Sequence, residues 1–243
     1  MKEYLVFRLY GAMASWGQAA VGGDRPTGLQ PTRSALLGLL GAALGIKRDD
    51  EEALLTLQNS VRFGVKQCVP TTLVRDYHTT QVPSHSKKRV HRTRASELRE
   101  EKLNTILSSR DYRCDGLWVV SVALTETAHY SLEQLKSALL NPVYALSLGR
   151  KSCPPSLPLM PTIAEFSGLK SALDHCFPAL TRSDKEDALW LHKSNQATYF
   201  WEGDAAEIDC ERTLTFQPWD EPISRSRWQF KQSTLHQVTM EEG

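Results

Sequence analysis

Hydrophobic positions fall in short runs separated by long polar stretches. Tyr4 to Leu9 is apolar or aromatic at every position but Arg8, which predicts a buried strand. Gly11 ends it. Residues 11–31 carry Gly11, Gly17, Gly22, Gly23, Gly28 and two prolines, and read as a long loop. A loop of that length in a compact domain is usually functional. An almost wholly apolar helix follows, roughly Arg33 to Leu44, with Thr32 as N-cap and Pro31 fixing the approach. Gly38, Gly41 and Gly45 each cost about 1 kcal/mol relative to alanine in a helix. Three of them predict close approach to another backbone, such as a sheet.

Glu51 to Asn59 reads as a second, short helix. Val61 to Cys68 alternates as a half-exposed strand, with Thr71 to Tyr77 as its partner. From His78 to Arg110 the pattern thins into a polar insertion. Leu117 to Leu124 is a strong strand. Leu132 to Leu140 is an amphipathic helix, started by Ser131 and stopped before Pro142. Cys153 to Pro161 is too rich in proline for a regular element. Beyond it come short strand-like runs such as Ala197–Trp201 and Arg212–Gln217. The expected organisation is a βαββαβ domain over residues 1–155 and a small β-rich or irregular domain over 156–243.

At 243 residues, 41% hydrophobic and 23% charged, the chain has globular composition and a formal net charge of only +1. The distribution is less even. Residues 1–48 carry six Lys/Arg against two acids, residues 75–113 ten against five, and residues 184–221 three against ten. A basic N-terminal half and an acidic later segment suit an anionic ligand on one side and another partner elsewhere. No apolar run is long enough for a transmembrane helix, so no membrane partner is expected. The first residues are too short and interrupted for a signal peptide. Five widely spaced cysteines without a C-x-x-C pair suggest neither zinc nor a disulfide framework, and a reduced, cytoplasmic protein is the default.

Several stretches could carry chemistry. The start of the first long helix offers four unpartnered N–H groups, with Arg33 in a turn where the dipole disfavours a cation. A bound phosphate resolves that conflict; a capped core helix with a solvated arginine is the plain alternative. Trp16-Gly17-Gln18 could offer a stacking ring to a base, or Trp16 could belong to the core. Gly149, Arg150, Lys151 and Ser152 suit close backbone approach to phosphate, or form an ordinary basic turn. Lys87, Lys88, Arg89, Arg92 and Arg94 could track a nucleic-acid backbone, or be a solvated surface. Arg110 and Arg113, where the insertion returns, are the better candidates. Tyr77 and His78 invite a general acid/base reading, as in a metal-independent endoribonuclease, but no second His or Lys is tied to them. No P-loop, dinucleotide fingerprint or metal-ligand spacing occurs, so neither cofactor nor metal is expected.

Taken together, these residues resemble the CasD family of type I-E CRISPR Cascade complexes. The blocks are Gly11 with Trp16-Gly17-Gln18, Arg25-Pro-Thr-Gly28, Pro31-Thr-Arg-Ser34, Leu36-Leu-Gly-Leu-Leu-Gly41, Leu44-Gly-Ile-Lys-Arg-Asp-Asp50, Arg75-Asp-Tyr-His-Thr79, Arg110-Asp-Tyr-Arg-Cys-Asp115 and Leu148-Gly-Arg-Lys-Ser-Cys-Pro154. They cover about the first 155 residues in order; the last third matches loosely. The resemblance implies an α+β, ferredoxin-like (RNA-recognition-like) domain with a protruding thumb at about 79–109. It implies a non-catalytic subunit that binds the 5′ handle of the CRISPR RNA. Its protein partners are then the Cascade backbone subunit and the large subunit, with target DNA met indirectly. On this reading Arg25, Arg33, Arg110, Arg150 and Lys151 meet phosphates. Thr32 and Ser34 hydrogen-bond at the helix start, and Trp16, Tyr77 and His78 stack or read base edges. The expectation is that Arg33, Arg110 and Arg150 share one surface.

Overall fold

The computed structural model describes residues 1–241 except 21, 85–89, 225, 226 and 228. The elements are β1 (Lys2–Ala14), β2 (Asp24–Arg25), α1 (Arg33–Leu44), α2 (Glu51–Ser60), β3 (Val61–Gln67), β4 (Thr72–Pro83), α3 (Arg94–Glu97) and β5 (Leu103–Leu124). There follow α4 (Leu132–Leu140), β6 (Thr162–Phe166), α5 (Leu169–Leu173), α6 (Asp184–Trp190), β7 (Gln196–Trp201), β8 (Leu214–Phe216), β9 (Glu221–Ser224), β10 (Gln229–Lys231) and β11 (Leu235–Glu241).

Alternation along β1 sorts its side chains onto the two faces of one large sheet. Leu5, Phe7 and Leu9 join Phe63, Val65, Val120, Val122 and Phe200 under Leu36 and Leu40 of α1 and Leu135 and Leu139 of α4. Tyr4 and Val6 join Val119, Ala123, Tyr199 and Trp201 on the other face, under Leu169 and Leu173 of α5. Each fully buried Leu or Phe is worth about 1.5–3 kcal/mol, so both faces hold the sheet. Arg8, on the second face, is buried and donates to the Pro158 and Pro178 carbonyls at 3.3 and 2.7 Å, tying down the proline-rich segment.

Among the described residues the sheet runs β6-β1-β5-β3-β7-β11-β8, with β4 and β2 on the far part of β5. All its pairs are antiparallel except β2 with β5. The architecture is mixed α and β around a large antiparallel sheet. The boundary expected near residue 155 does not divide this sheet. β6 pairs with β1, and β7 pairs with β3, so the last third extends both sides of the first.

The helices start where their caps predict. Thr32 accepts from Ala35 N at the head of α1, and Ser131 with Gln134 forms a capping box at the head of α4. The glycine expectation needs correcting. A Cβ at Gly38 would meet nothing within 4 Å, and one at Gly41 only side chains at 3.8 Å or beyond. Gly45, at φ 77°, is the left-handed cap that ends α1 against Val143.

The polar insertion is an arm. β4 pairs with β5 at every residue from Thr72 to Pro83, opposite Cys114 to Leu103. Its side chains are mostly exposed, so the backbone ladder rather than burial holds it. Lys87, Lys88 and Arg89 lie outside the described residues.

Candidate nucleic-acid interface

The residues singled out by sequence separate into two groups at opposite ends of β5. Arg33 belongs to the far end. Its Nη1 donates to Glu202 at 2.6 Å and to the Val61 carbonyl at 3.3 Å, its Nη2 donates to the Gln58 carbonyl at 2.8 Å, and its Nε meets Glu221. Its backbone N–H donates to Asp220 at 2.9 Å. The Arg33 side chain is 11% exposed. The anion expected at this helix start is therefore supplied by the chain itself, from the acidic later segment. Val61 pairs with Leu124, fourteen positions along β5 from Arg110. That is a strand contour of roughly 45 Å. Arg33 does not share a surface with Arg110.

Thr32 and Ser34 are also spent locally: Thr32 is buried, caps α1, and its hydroxyl pairs with that of Ser34 at 3.2 Å. Trp16 is 1% exposed and packs edge-on against Trp118, with centroids 5.1 Å apart. It is a core residue, and a base cannot reach its face.

The other group converges. β2 lies parallel to β5, with Arg25 beside Arg110. Arg150 Nη2 donates to the Arg25 carbonyl at 3.0 Å, and its guanidinium stacks 4.9 Å from the Tyr112 ring centroid. Arg113 Nε donates to the Gly28 carbonyl at 3.2 Å. The loop carrying Arg150 is pinned by the Ser15 N–H, which donates to the Leu148 carbonyl at 2.9 Å. Gly149 (φ 89°) sits where a Cβ would fall 1.9 Å from the Ser15 carbonyl oxygen, so only glycine lets this loop lie so close. The close approach inferred for Gly149 is thus to the chain's own backbone. Gly17 bridges Thr27, which leaves Gln18 exposed beside this surface. Lys151 and Ser152 are exposed at the loop tip.

The electrostatics are unbalanced. Asp111 is held below the usual carboxylate range, chiefly by its hydrogen bonds from Arg75, with Arg113 and Arg150 adding to the effect. Asp24, beside Arg25, and Asp76, opposite Arg110, offset part of this charge, but Asp111 is the one carboxylate that pairs with an arginine of the group among the described residues. Tyr77 and His78 follow on the arm, opposite Ser109 and Ser108. Tyr77 is 62% exposed. His78 Nε2 lies against the Asp76 carboxylate. Arg75 and Asp111 stand in two of the blocks marked above, yet neither carries a local signal as a site residue. Nothing in the sequence pairs residues 36 positions apart; the β4–β5 register does.

Among the described residues no group of three or more His, Cys, Asp or Glu is placed to hold a metal ion. No helix there is long and apolar enough to cross a membrane. The five cysteines are free.

Comparison with known proteins gives this arrangement a family. The chain is 40% identical over 181 residues to "CRISPR system Cascade subunit CasD" of Escherichia coli (strain K12), covering 71% of this chain and 76% of that one. Its fold resembles a chain of a solved "CRISPR RNA-guided surveillance complex", with TM-score 0.66, 27% identity, and coverage of 98% of this chain and 89% of that one. A structure titled "Crystal structure of Cas protein" shares the fold at TM-score 0.57 and 21% identity, over 98% of this chain and 95% of that one. Residues 4–236 match the family described as CRISPR-associated protein (Cas_Cas5), and the chain belongs to that family.

Proposed function

We propose that this protein is a non-catalytic subunit of a type I-E CRISPR Cascade surveillance complex that binds and caps the 5′ handle of the CRISPR RNA. In that role it connects the backbone subunits to the large subunit. The observation that carries the reading is the meeting of Arg25, Arg110 and Arg150, from three distant stretches, at the base of the arm. Such a surplus of cations beside exposed rings suits single-stranded RNA, which is held by phosphate contacts and base stacking. Arg25, Arg110, Arg150 and Lys151 take phosphates, Tyr77 and His78 offer rings, and Gly17, Gln18, Gly149 and Ser152 line the path. Arg33, Thr32, Ser34 and Trp16 leave the binding set and support it from within.

The order β6-β1-β5-β3, with α1 and α4 on one face, supports reading the core as ferredoxin-like. The β4–β5 arm then serves as the thumb, reaching towards a neighbouring subunit. The likeness to CasD and to a surveillance-complex chain supports the complex.

The His78–Asp76 contact is what favours an endoribonuclease instead. Yet Tyr77 and His78 are successive strand residues and project to opposite faces, so they do not act together on one ribose. Two measurements test the proposal. Arg110→Ala with Arg150→Ala is expected to weaken handle-RNA binding and flatten its salt dependence by about 0.7 in log–log slope per charge removed. Labelled repeat RNA incubated with the protein in EDTA is expected to stay whole. Cleavage that disappears in His78→Ala would establish the enzyme; unchanged affinity in the folded double variant would remove the binding assignment.

A further inference from the structure

Asp111 is built into the sheet rather than added to the surface. The residue is 6% exposed. Its Oδ1 accepts from Arg75 Nε at 2.8 Å and its Oδ2 from Arg75 Nη2 at 3.0 Å, a side-on pair between residues directly opposite in the β4–β5 register. Its backbone carbonyl accepts from Ser15 Oγ at 3.1 Å and lies 3.5 Å from Arg150 Nη1. One residue thus ties together the stretches around positions 15, 75 and 150.

Arg75 itself is different. Its side chain is 63% exposed, against 9% for that of Asp111. A guanidinium carries five N–H donors, and the pair with Asp111 spends two. Three remain, and among the described residues its Nη1 makes no hydrogen bond. An exposed arginine normally loses rotamer freedom when it binds. Here Asp111 has already fixed the long side chain, with its spare donors turned from the carboxylate towards solvent. Asp24, whose charge also acts on Arg75, stands on β2 across β5 from Arg75 and does not take those donors.

We propose that Arg75 contacts a phosphodiester of single-stranded RNA and that Asp111 is its positioning residue. The inference rests on the RNA-binding reading above and adds a contact that reading does not use. Asp111 remains ionised at neutral pH, because the Arg75 hydrogen bonds hold its carboxyl below the ordinary range.

Charge alone and positioning make opposite forecasts. Replacing Asp111 by Asn adds one net positive charge, so simple attraction tightens RNA binding and steepens its salt dependence. Positioning loosens binding, because Arg75 loses its side-on partner. The test is fluorescence anisotropy of labelled oligouridine, about eight nucleotides long, on the full chain. Arg75→Ala is expected to weaken binding about tenfold, the size of one charge-assisted hydrogen bond. Arg75→Lys is not expected to restore it, since an ammonium cannot pair side-on with Asp111 and still present a fork. Asp111→Asn is expected to weaken binding, and the double variant to be no weaker than Arg75→Ala alone.

Wild-type affinity in Arg75→Ala, or tighter binding in Asp111→Asn, overturns the inference while a weakened Arg110→Ala, Arg150→Ala variant keeps the RNA reading. If the wild-type chain binds no RNA, both fall together. Should Asp111→Asn fail to fold, the two exposed-site variants at Arg75 still decide.

Discussion

The clasp at the head of α1 and the open face at the base of the arm are both built on arginine, yet they have opposite characters. Around Arg33 stand three acidic side chains, Asp220, Glu221 and Glu202, with two backbone carbonyls. Around Arg25, Arg75, Arg110, Arg113 and Arg150 stand one buried carboxylate, Asp111, and the more exposed Asp24 and Asp76. The difference lies in who supplies the anion. At the clasp the chain brings its own acidic segment back over a helix start, and the arginine is spent on folding. At the open face the cations outnumber the acids, and on the proposed function that remaining charge serves a partner outside the chain. A helix N-terminus with an arginine therefore marks where an anion belongs without saying whose anion it is.

Variants can break or sharpen that contrast. The largest effect on folding is expected at the clasp. Arg33→Ala leaves Glu202 and Glu221 buried without their cation and should cost about 3–5 kcal/mol in denaturant unfolding. RNA affinity per folded molecule should not change. A stable Arg33→Ala protein with weakened RNA binding would erase the distinction between the two ends.

A smaller effect is expected from pH. Burial, with help from Asp220 and Glu221, pushes the Glu202 carboxyl up from 4.5 to about 7, against the pull of Arg33. A folded-state value above the unfolded one means the folded chain holds the extra proton between them. The Glu202 contribution to stability is therefore largest below 4.5 and is lost as pH rises through the window to about 7. Asp111, Asp174 and Asp187, all lowered below 3.8, act in the opposite sense, and only in more acid solution. Urea midpoints of the wild type should fall between about pH 5 and pH 7, and Glu202→Gln should flatten that slope. A slope unchanged in Glu202→Gln would assign the titration elsewhere.

The smallest effect on folding is expected at the open face. Lys151 is exposed, and Lys151→Ala should leave stability within about 0.5 kcal/mol. Its RNA salt slope should drop by about 0.7. A clear loss of stability with an unchanged slope would make Lys151 another clasp residue.

The elements with a strong local signal were legible. The helix expected over Arg33–Leu44 has those bounds, Ser131 caps the helix Leu132–Leu140, and Tyr4–Leu9 lies within β1. In the two helices the cap and the apolar run point the same way, and in β1 the apolar run is the signal. The arm gave a weaker signal, because β4 has no buried face and so no hydrophobic alternation to read. The strands β6, β9, β10 and β11 carry no clear local signal, because each is defined by its partner rather than its own residues. Within the site, Arg25, Arg110 and Arg150 are legible as basic positions in separate stretches. Arg33 carries the same kind of signal and belongs to a different surface.

By itself the sequence determined where the capped helices begin, which stretches are apolar, and which stretches carry surplus positive charge. Those properties follow from local periodicity, capping and composition. The tertiary structure alone decided which arginine keeps its charge for a partner. That depends on which acids return through long-range pairing, and Asp220, Glu221 and Glu202 lie 169 to 188 positions from Arg33. Ion pairing is a matter of a few ångströms, and distance along the chain does not fix distance in space.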